Sequence, residues 1–301
     1  MLSARDHYPA SSHQHDISYL IHAYFSSTIC NMIYSDCHLH STFSTDGSSD
    51  MEDEILHAID LHLDTICFTE HNDYGAYKEK LFVVDAAAYH DKYLSMRDKY
   101  AGRIEILFGI EAGFQPTDHI YEYFDSYLKE WPFDFIIASS HVVDNKDPYY
   151  PVFFEDYPDD DAAYRAYFNE EYQNVLRYDD YDTYGHLDYI LRYGKTKDEG
   201  FSYDRFADIL DPLLSELVSR GKCIEINSAG LRRGLKYPNP HIDIVKRYRE
   251  LGGLPPTIGS DAHEIHDMAR DFDIIEGMLK EAGFSSYSLF RGRRRHEIPL
   301  A

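Results

Sequence analysis

Short apolar runs recur along the chain, and most of them lead directly into histidine, aspartate or glutamate. Runs of about four to eight apolar residues bounded by polar residues are typical of buried strands. We predict strands in seven such runs, of which the fifth is the weakest. They span residues 32–38, 64–71, 104–111, 134–141, 184–190, 222–230 and 256–263.

Helical spacing of apolar residues fills several of the intervals between these runs. Within residues 48–64, Ser49 and Glu52 predict a capping box at the start of a helix. The stretch 206–222 predicts a second helix, in which Pro212 is expected to cause a kink or break. Two further helices are predicted over 241–253 and 273–284. Strands that alternate with helices indicate a parallel α/β architecture, and seven strands favour a closed barrel over an open sheet.

Two segments do not follow this alternation of strands and helices. Residues 1–31 carry four histidines and lack strong periodicity, so we expect a poorly ordered N-terminal extension or the product of an upstream start codon. The barrel domain would then span 32–301. Residues 144–184 are acidic and rich in tyrosine, with a helix predicted over roughly 160–178. This excursion is expected either to lie as a solvated segment on the barrel rim or to act as a lid over the active site.

Composition narrows the classes of partner. The chain has 301 residues and a formal net charge of −24, from 53 acidic and 29 basic residues. A surface this acidic argues against nucleic acid or an anionic membrane as the main partner. No apolar run approaches the ~18–20 residues of a membrane span. The four cysteines form no CxxC pair and favour buried free thiols in a reducing compartment, hence a cytoplasmic protein. The oligomeric state stays open.

Imidazole and carboxylate side chains follow nearly every predicted strand. In a parallel barrel the carboxyl ends of all strands lie on one face, which carries the active site, so these side chains should converge. Nitrogen and oxygen donors without thiolate suit Zn, Mn or Fe, and their number exceeds what one ion needs. Two or three divalent ions are therefore expected. The candidates are His38, His40, Glu70, His71, Glu111, His141, His186, Asp188, Asp261 and His263.

The motifs at these strand ends resemble those of the polymerase-and-histidinol-phosphatase (PHP) family. They are "HLHSTFSTDG", "FTEH", "GIEAG", "SSH", "GHLD" and "GSDAH", in this order, and the resemblance runs from about residue 33 to 295. "GHLDYILRYG" and "EINSAGLRRG" are most similar to the histidinol-phosphatase branch. The resemblance implies a distorted (β/α)7 TIM-like barrel with a metal site at the carboxyl ends of its strands.

The resemblance also implies which residues hold each ion. Glu111 would bridge the first two ions, and Asp46 stands where some members of the family have histidine. A carboxylate at that position is a competent ligand that would favour Mn or Fe over Zn, so the identity of that metal stays open. The implied ligands are His38, His40, Glu111 and Asp261 for the first ion; Glu111, His141 and His186 for the second; and Asp46, His71 and His263 for the third.

The implied reaction is hydrolysis of L-histidinol phosphate to L-histidinol and phosphate in histidine biosynthesis, through attack of a hydroxide that bridges two ions. Bound cations would also create a positive site for an anionic substrate in an acidic protein. Glu111, Asp261 and His263 are the ligands expected to act in catalysis.

Arginine completes the expected site, because its guanidinium can bind phosphate oxygens in a bidentate way. Arg192 and Arg232 lie just past predicted strands, and Arg233 is an alternative to Arg232. The proton donor to the leaving group stays open among Asp46, Glu70 and Asp188.

Two other functions compete with this one. A PHP phosphoesterase that acts on nucleotides or other small phosphomonoesters would carry the same ligands. A non-catalytic module stabilised by metal would have lost ligands, whereas this chain has a competent residue at each expected position. An imidazole-bearing substrate would suit a pocket with aromatic and acidic walls, which residues 144–184 could supply.

Overall fold

A ring of parallel strands forms the centre of the protein in the computed structural model, which describes residues 33–76 and 82–300. The expectation of a poorly ordered extension over residues 1–31 concerns a part of the chain outside the described residues. The strands of the ring are β1 Ser35–Leu39, β2 Thr65–Phe68, β3 His71–Asn72, β4 Glu105–Gly113, β5 Phe135–Ser139, β6 Thr183–Tyr184, β7 Cys223–Asn227 and β8 Thr257–Gly259.

The strand order confirms the predicted barrel. Neighbours pair in the order β1, β2, β4, β5, β6, β7, β8, all in parallel, and β3 continues the line of β2 by pairing with β4. The ring closes where Asp261 N–H donates to the His38 carbonyl at 2.8 Å and His40 N–H donates to the Ala262 carbonyl at 2.9 Å. Counting β2 and β3 as one interrupted strand gives the seven strand positions of a distorted (β/α)7 barrel.

Helices pack around this ring, and a hairpin follows the last of them. Of the described helices, none is long and apolar enough to cross a membrane. The α-helices are α1 Met51–Asp60, α2 Ala86–Lys99, α3 Asp118–Glu130, α4 Asp160–Arg177, α5 Ala207–Ser219, α6 Ala229–Arg232, α7 Ile242–Glu250 and α8 Phe272–Glu281. The hairpin consists of β9 Ser286–Arg291 and β10 Arg294–Pro299, and short 3-10 helices cover Pro151–Asp156, Tyr189–Arg192, Lys197–Glu199, Tyr203–Arg205 and Ile265–Asp267.

Two details of the sequence prediction are wrong, and of the kink or break predicted at Pro212 the break does not occur. The cap of α1 is Asp50, whose side chain accepts from Glu52 N–H, whereas Ser49 Oγ accepts from Ile265 N–H. The strand predicted over 184–190 ends at Tyr184, because the chain then turns into a 3-10 helix. Pro212 does not break α5. Pro212 and Asp208, the residue four positions earlier, are both exposed, so water can satisfy the carbonyl that Pro212 leaves without a donor.

The interior of the barrel is apolar at the amino ends of the strands. We call the buried apolar residues at this end of the barrel the floor cluster. The hairpin closes this end of the barrel, because Arg291 pairs with Glu105 at 2.7 Å and Arg293 pairs with Asp182 at 2.6 Å. As predicted, the cysteines of the described part are buried free thiols. The floor cluster comprises Cys37, Cys67, Leu107, Phe135, Ile137, Cys223, Leu289 and Phe290.

The helix predicted near residues 160–178 is α4, which connects β5 to β6. Tyr164, Tyr167 and Phe168 of this helix are fully buried, and α4 packs against α5 in the outer layer of the barrel. Residues 142–159 precede the helix on the side of the barrel where β5 ends. The excursion therefore consists of a packed crossover helix and a rim segment.

Candidate metal centre

Glu111 lies at the middle of a buried cluster at the carboxyl ends of the strands. Its side chain is fully buried near the end of β4. Its Oε1 accepts from Ser139 Oγ at 2.7 Å and lies 2.9 Å from His186 Nε2 and 3.2 Å from His141 Nε2. His141 Nε2 and His186 Nε2 are themselves only 3.4 Å apart. One oxygen of Glu111 therefore faces the two imidazoles predicted for the second ion.

The other oxygen of Glu111 faces the predicted first ion site. Oε2 lies 3.4 Å from Nε2 of both His38 and His40, which lie 3.8 and 3.6 Å from Asp261 Oδ1. These two Nε2 atoms and Glu111 Oε2 are buried and have no hydrogen-bond partner. Buried polar atoms without partners are costly, so their convergence fits a bound cation. Two imidazoles and two carboxylates form a donor set suited to Zn, Mn or Fe.

A third group lies at the open side of the cluster. His71 Nε2 is 3.3 Å from His263 Nε2, and Asp46 Oδ2 lies 3.3 Å from His263 Nε2 and 3.7 Å from His71 Nε2. Burial opposes ionisation of Asp46, but His71 and His263 outweigh it and lower the pKa of Asp46 to about 2. His40 also approaches His71 and His263 closely enough to share an ion with them. The structure thus brings all nine predicted metal ligands to one face of the barrel.

Two carboxylates that orient the ligands were missed in the sequence. Glu225 Oε1 lies 2.6 Å from His38 Nδ1, and its Oε2 accepts from His186 N–H at 3.0 Å. Asp73 Oδ1 lies 2.8 Å from His141 Nδ1. Such contacts fix the ring so that Nε2 points toward the other ligands. The signal for Glu225 is a charged residue at an inward position of the apolar strand "CIEIN", and Asp73 follows His71 by two residues.

Glu70 and Asp188 lie within the predicted strand ranges 64–71 and 184–190 but do not join the predicted ligands. Glu70 accepts hydrogen bonds from Ser41 Oγ and Ser44 Oγ, both at 2.5 Å, and burial raises the pKa of Glu70 to about 7. Asp188 accepts from Asn239 Nδ2 at 2.5 Å, and burial raises its pKa to about 6. Both carboxyls hold loops in place. Of the three candidates for proton donor, only Asp46 therefore lies among the predicted ligands.

Arg192 is buried beside the cluster in a defined orientation. Its Nη1 donates to Asp261 Oδ2 at 3.1 Å, its Nη2 to Asn227 Oδ1 at 3.0 Å, and its Nε to Asn239 Oδ1 at 2.7 Å. Its guanidinium also lies over the Tyr189 ring, 5.0 Å from the centroid. An arginine held from several sides loses little further freedom when it binds an anion.

Arg232 is held by the loop that carries Asp261. Its Nη2 donates to the carbonyl of Ser260 at 2.8 Å and to the carbonyl of Asp261 at 3.1 Å, and its Nε pairs with Asp267 at 3.1 Å. Arg192, Arg232 and Arg233 all line one cavity of about 710 Å³, whose wall also includes Asp261. Arginine forks and candidate metal ligands therefore face the same space, which is an arrangement suited to a phosphoryl group.

Comparison with known proteins identifies similar chains. Residues 36–229 match the PHP domain family. A histidinol-phosphatase of Lactococcus lactis subsp. lactis is 29% identical over 261 residues, 86% of this chain and 95% of that protein. A probable histidinol-phosphatase of Thermotoga maritima is 32% identical over 265 residues, 88% of this chain and 99% of that protein. The crystal structure of a histidinol phosphate phosphatase from Lactococcus lactis, complexed with zinc, L-histidinol and phosphate, has a TM-score of 0.78 at 26% identity, covering 87% of this chain and 98% of that one.

Proposed function

The chain belongs to the PHP domain family, and from this premise we propose that it hydrolyses L-histidinol phosphate to L-histidinol and phosphate, a step of histidine biosynthesis. One observation carries the proposal. Glu111 lies between two groups of imidazoles, and His141 and His186 beside it line a cavity that Arg192 and Arg232 also line. The names of the two relatives and the ligands of the solved structure support the choice of L-histidinol phosphate among phosphomonoesters.

We propose that two or three divalent ions of Zn, Mn or Fe occupy the cluster. Bound cations of this kind polarise phosphoryl oxygens and lower the pKa of water, which supplies a nucleophile near neutral pH. The ligands proposed to act in catalysis are Glu111, Asp261 and His263. The complete set of proposed ligands is His38, His40, Asp46, His71, Glu111, His141, His186, Asp261 and His263.

Two arginine side chains, Arg192 and Arg232, would bind and orient the phosphoryl group. Arg192 is held by Asn227, Asn239 and Asp261, so its fork is already fixed before a substrate arrives. Arg232 is anchored to the backbone of Ser260 and can present its remaining donors to the same cavity. Preorganised donors of this type stabilise the negative charge that develops in the transition state.

The rest of the proposal concerns surroundings and partners. The rim segment 142–159 contributes Val142, Asp147, Tyr149 and Tyr150 to the cavity wall, which supports a role as a lid that limits access of water. The net charge of −24 supports a small-molecule substrate, with neither nucleic acid nor a membrane as partner. Buried free cysteines are typical of a reducing compartment and support a cytoplasmic location.

A substrate screen tests the proposal. The purified full chain, loaded separately with Zn, Mn or Fe, is assayed against L-histidinol phosphate, nucleoside monophosphates, sugar phosphates and p-nitrophenyl phosphate, with metal analysis of the same samples. We expect the highest kcat/KM for L-histidinol phosphate, at a stoichiometry of two or three ions per chain. A nucleotide or sugar phosphate that ranks well above L-histidinol phosphate would replace this function by the alternative phosphoesterase.

A further inference from the structure

The wall of the cavity contains an aromatic strip that leads from the metal ligands to the rim. Tyr189 lies beside the cluster, with its ring centroid 5.1 Å from that of His186. Tyr193 follows at 5.0 Å from Tyr189, and Tyr149 at 5.5 Å from Tyr193. Exposure rises along the strip, from 9% for Tyr189 to 49% for Tyr149. The rings meet edge to face, at interplanar angles of 66° and 74°, so the strip offers both faces and edges against which a flat group attached to a bound phosphate could pack.

Asp147 lies in the same wall and lacks a cationic partner among the described residues. Its Oδ1 accepts from Tyr149 N–H at 2.7 Å, and the neighbouring Lys146 is engaged with Asp156. Burial raises the pKa of Asp147 to about 6, which indicates a poorly solvated carboxylate. A half-buried carboxylate of this kind gains free energy when a cation binds beside it.

The other acidic residues of the wall are either engaged or exposed. Asp73 contacts His141, Asp261 contacts Arg192, and Asp46 contacts His263. Asp267 pairs with Arg232 and Arg270, whereas Glu264 is exposed at the rim. Within the described part of the chain, Asp147 therefore differs from the other carboxylates of this cavity, since it is partly buried and forms no ion pair or hydrogen bond with an imidazole or guanidinium; His141 and His71 act on it only through their charge, which lowers its pKa.

We propose that Asp147 and the tyrosine strip (Tyr149, Tyr189 and Tyr193) form the subsite for a leaving group that carries a cation and a flat ring. Asp147 binds the ammonium or protonated ring nitrogen of the alcohol, and the tyrosines pack against its ring. This inference rests on the proposed function and names the part of the site that recognises the alcohol. It predicts selection for phosphomonoesters of cationic alcohols over those of neutral or anionic alcohols.

The variant Asp147→Asn tests the subsite. Asparagine keeps an oxygen that can accept from Tyr149 N–H, so the turn is preserved while the charge is lost. We expect kcat/KM for L-histidinol phosphate to fall about 10- to 100-fold, mainly through KM. For p-nitrophenyl phosphate, which has no cationic group, kcat/KM should stay within about twofold, and the metal content should not change. Asp144→Asn is the matched control, because Asp144 is an exposed carboxylate of the same segment that does not line the cavity.

The remaining outcomes separate this inference from the proposed function. An equal loss for both substrates, or no loss for either, would overturn the role of Asp147 in recognising the leaving group. If the parent protein hydrolyses p-nitrophenyl phosphate but not L-histidinol phosphate, the proposed function fails. The subsite is then decided by inhibition of p-nitrophenyl phosphate hydrolysis by L-histidinol. Weaker inhibition of Asp147→Asn than of the parent supports the subsite, and equal or absent inhibition rejects it.

Discussion

The two ends of the barrel interior are built from the same strands and have opposite chemistry. In β4, Leu107 belongs to the apolar floor cluster, whereas Glu111, four residues later, is surrounded by imidazoles. In β7, Cys223 belongs to the floor cluster, and Glu225 contacts His38 at the opposite end. Alternation along a strand selects the residues that face inward. Position along the strand then decides whether an inward residue packs a core or contributes to the candidate metal centre.

The two ends also differ in how well their buried atoms are satisfied. The floor cluster consists of cysteine, leucine, isoleucine and phenylalanine, so it buries no side-chain nitrogen or oxygen. At the other end, His38 Nε2, His40 Nε2 and Glu111 Oε2 are buried without hydrogen-bond partners. Unsatisfied polar atoms oppose folding, while apolar burial favours it. We infer that the floor end stabilises a fold in which the other end can keep atoms available for cations.

Removal of a ligand from the polar end should have the largest effect on activity. Asp261→Ala or His38→Ala is expected to lose metal and activity together, with kcat/KM lower by at least about 1,000-fold, because the proposed cations would supply several kcal/mol of transition-state stabilisation. Metal analysis and steady-state kinetics on the same sample measure both quantities. Full activity with fewer bound ions would contradict the ligand assignment.

A change in a residue that only orients ligands should have a smaller effect. Glu225→Gln is expected to weaken metal binding about 10- to 100-fold, because it weakens the contact that orients His38. Competition with a chelator measures this affinity. Glu105→Gln is the matched control, since Glu105 is the carboxylate at the amino end of β4 and pairs with Arg291. Equal metal affinity in both variants would show that Glu225 does not position its neighbours.

Loss of Arg192 should separate substrate binding from metal binding. Arg192→Ala is expected to raise KM for phosphomonoesters and to lower kcat/KM about 10- to 100-fold, because the proposed bidentate phosphate contact would be lost. The metal content should remain unchanged, although Arg192 also contacts Asp261. Kinetics and metal analysis check the two parts separately. Normal kinetics would remove Arg192 from the site.

A cavity in the floor cluster should affect stability and leave activity almost unchanged. Leu107→Ala is expected to lower the free energy of unfolding by about 2–5 kcal/mol, through lost apolar burial and the space left behind. Urea denaturation measures this change. At 25 °C the folded variant should keep its metal content and its kcat/KM within about twofold. Loss of metal affinity would show that the two ends of the barrel are coupled more strongly than their separation along the strands indicates.

Much of the barrel could be predicted because its strands are short apolar runs with polar ends. The run 104–111 predicted β4, and Glu111 at its end lies in the cluster as expected. The region after β6 was harder, because Leu187 and Ile190 resemble a strand in sequence while the chain forms a 3-10 helix there. The helix α2 was also missed, since its buried side includes Tyr89 and Tyr93, which do not stand out in a tyrosine-rich chain.

Local pattern by itself determined the fold class and the ligand types of this protein. Apolar runs that end in histidine and carboxylate place these side chains on one face of any parallel barrel, because all strand ends lie together. Tertiary structure alone decided which distant groups meet. Glu225 contacts His38 across 187 positions of sequence, and Asp147 has no ion pair among the described residues in a wall that also contains four tyrosines. The physical reason is that periodicity sets the direction of each side chain, whereas barrel closure and loop packing set its neighbours.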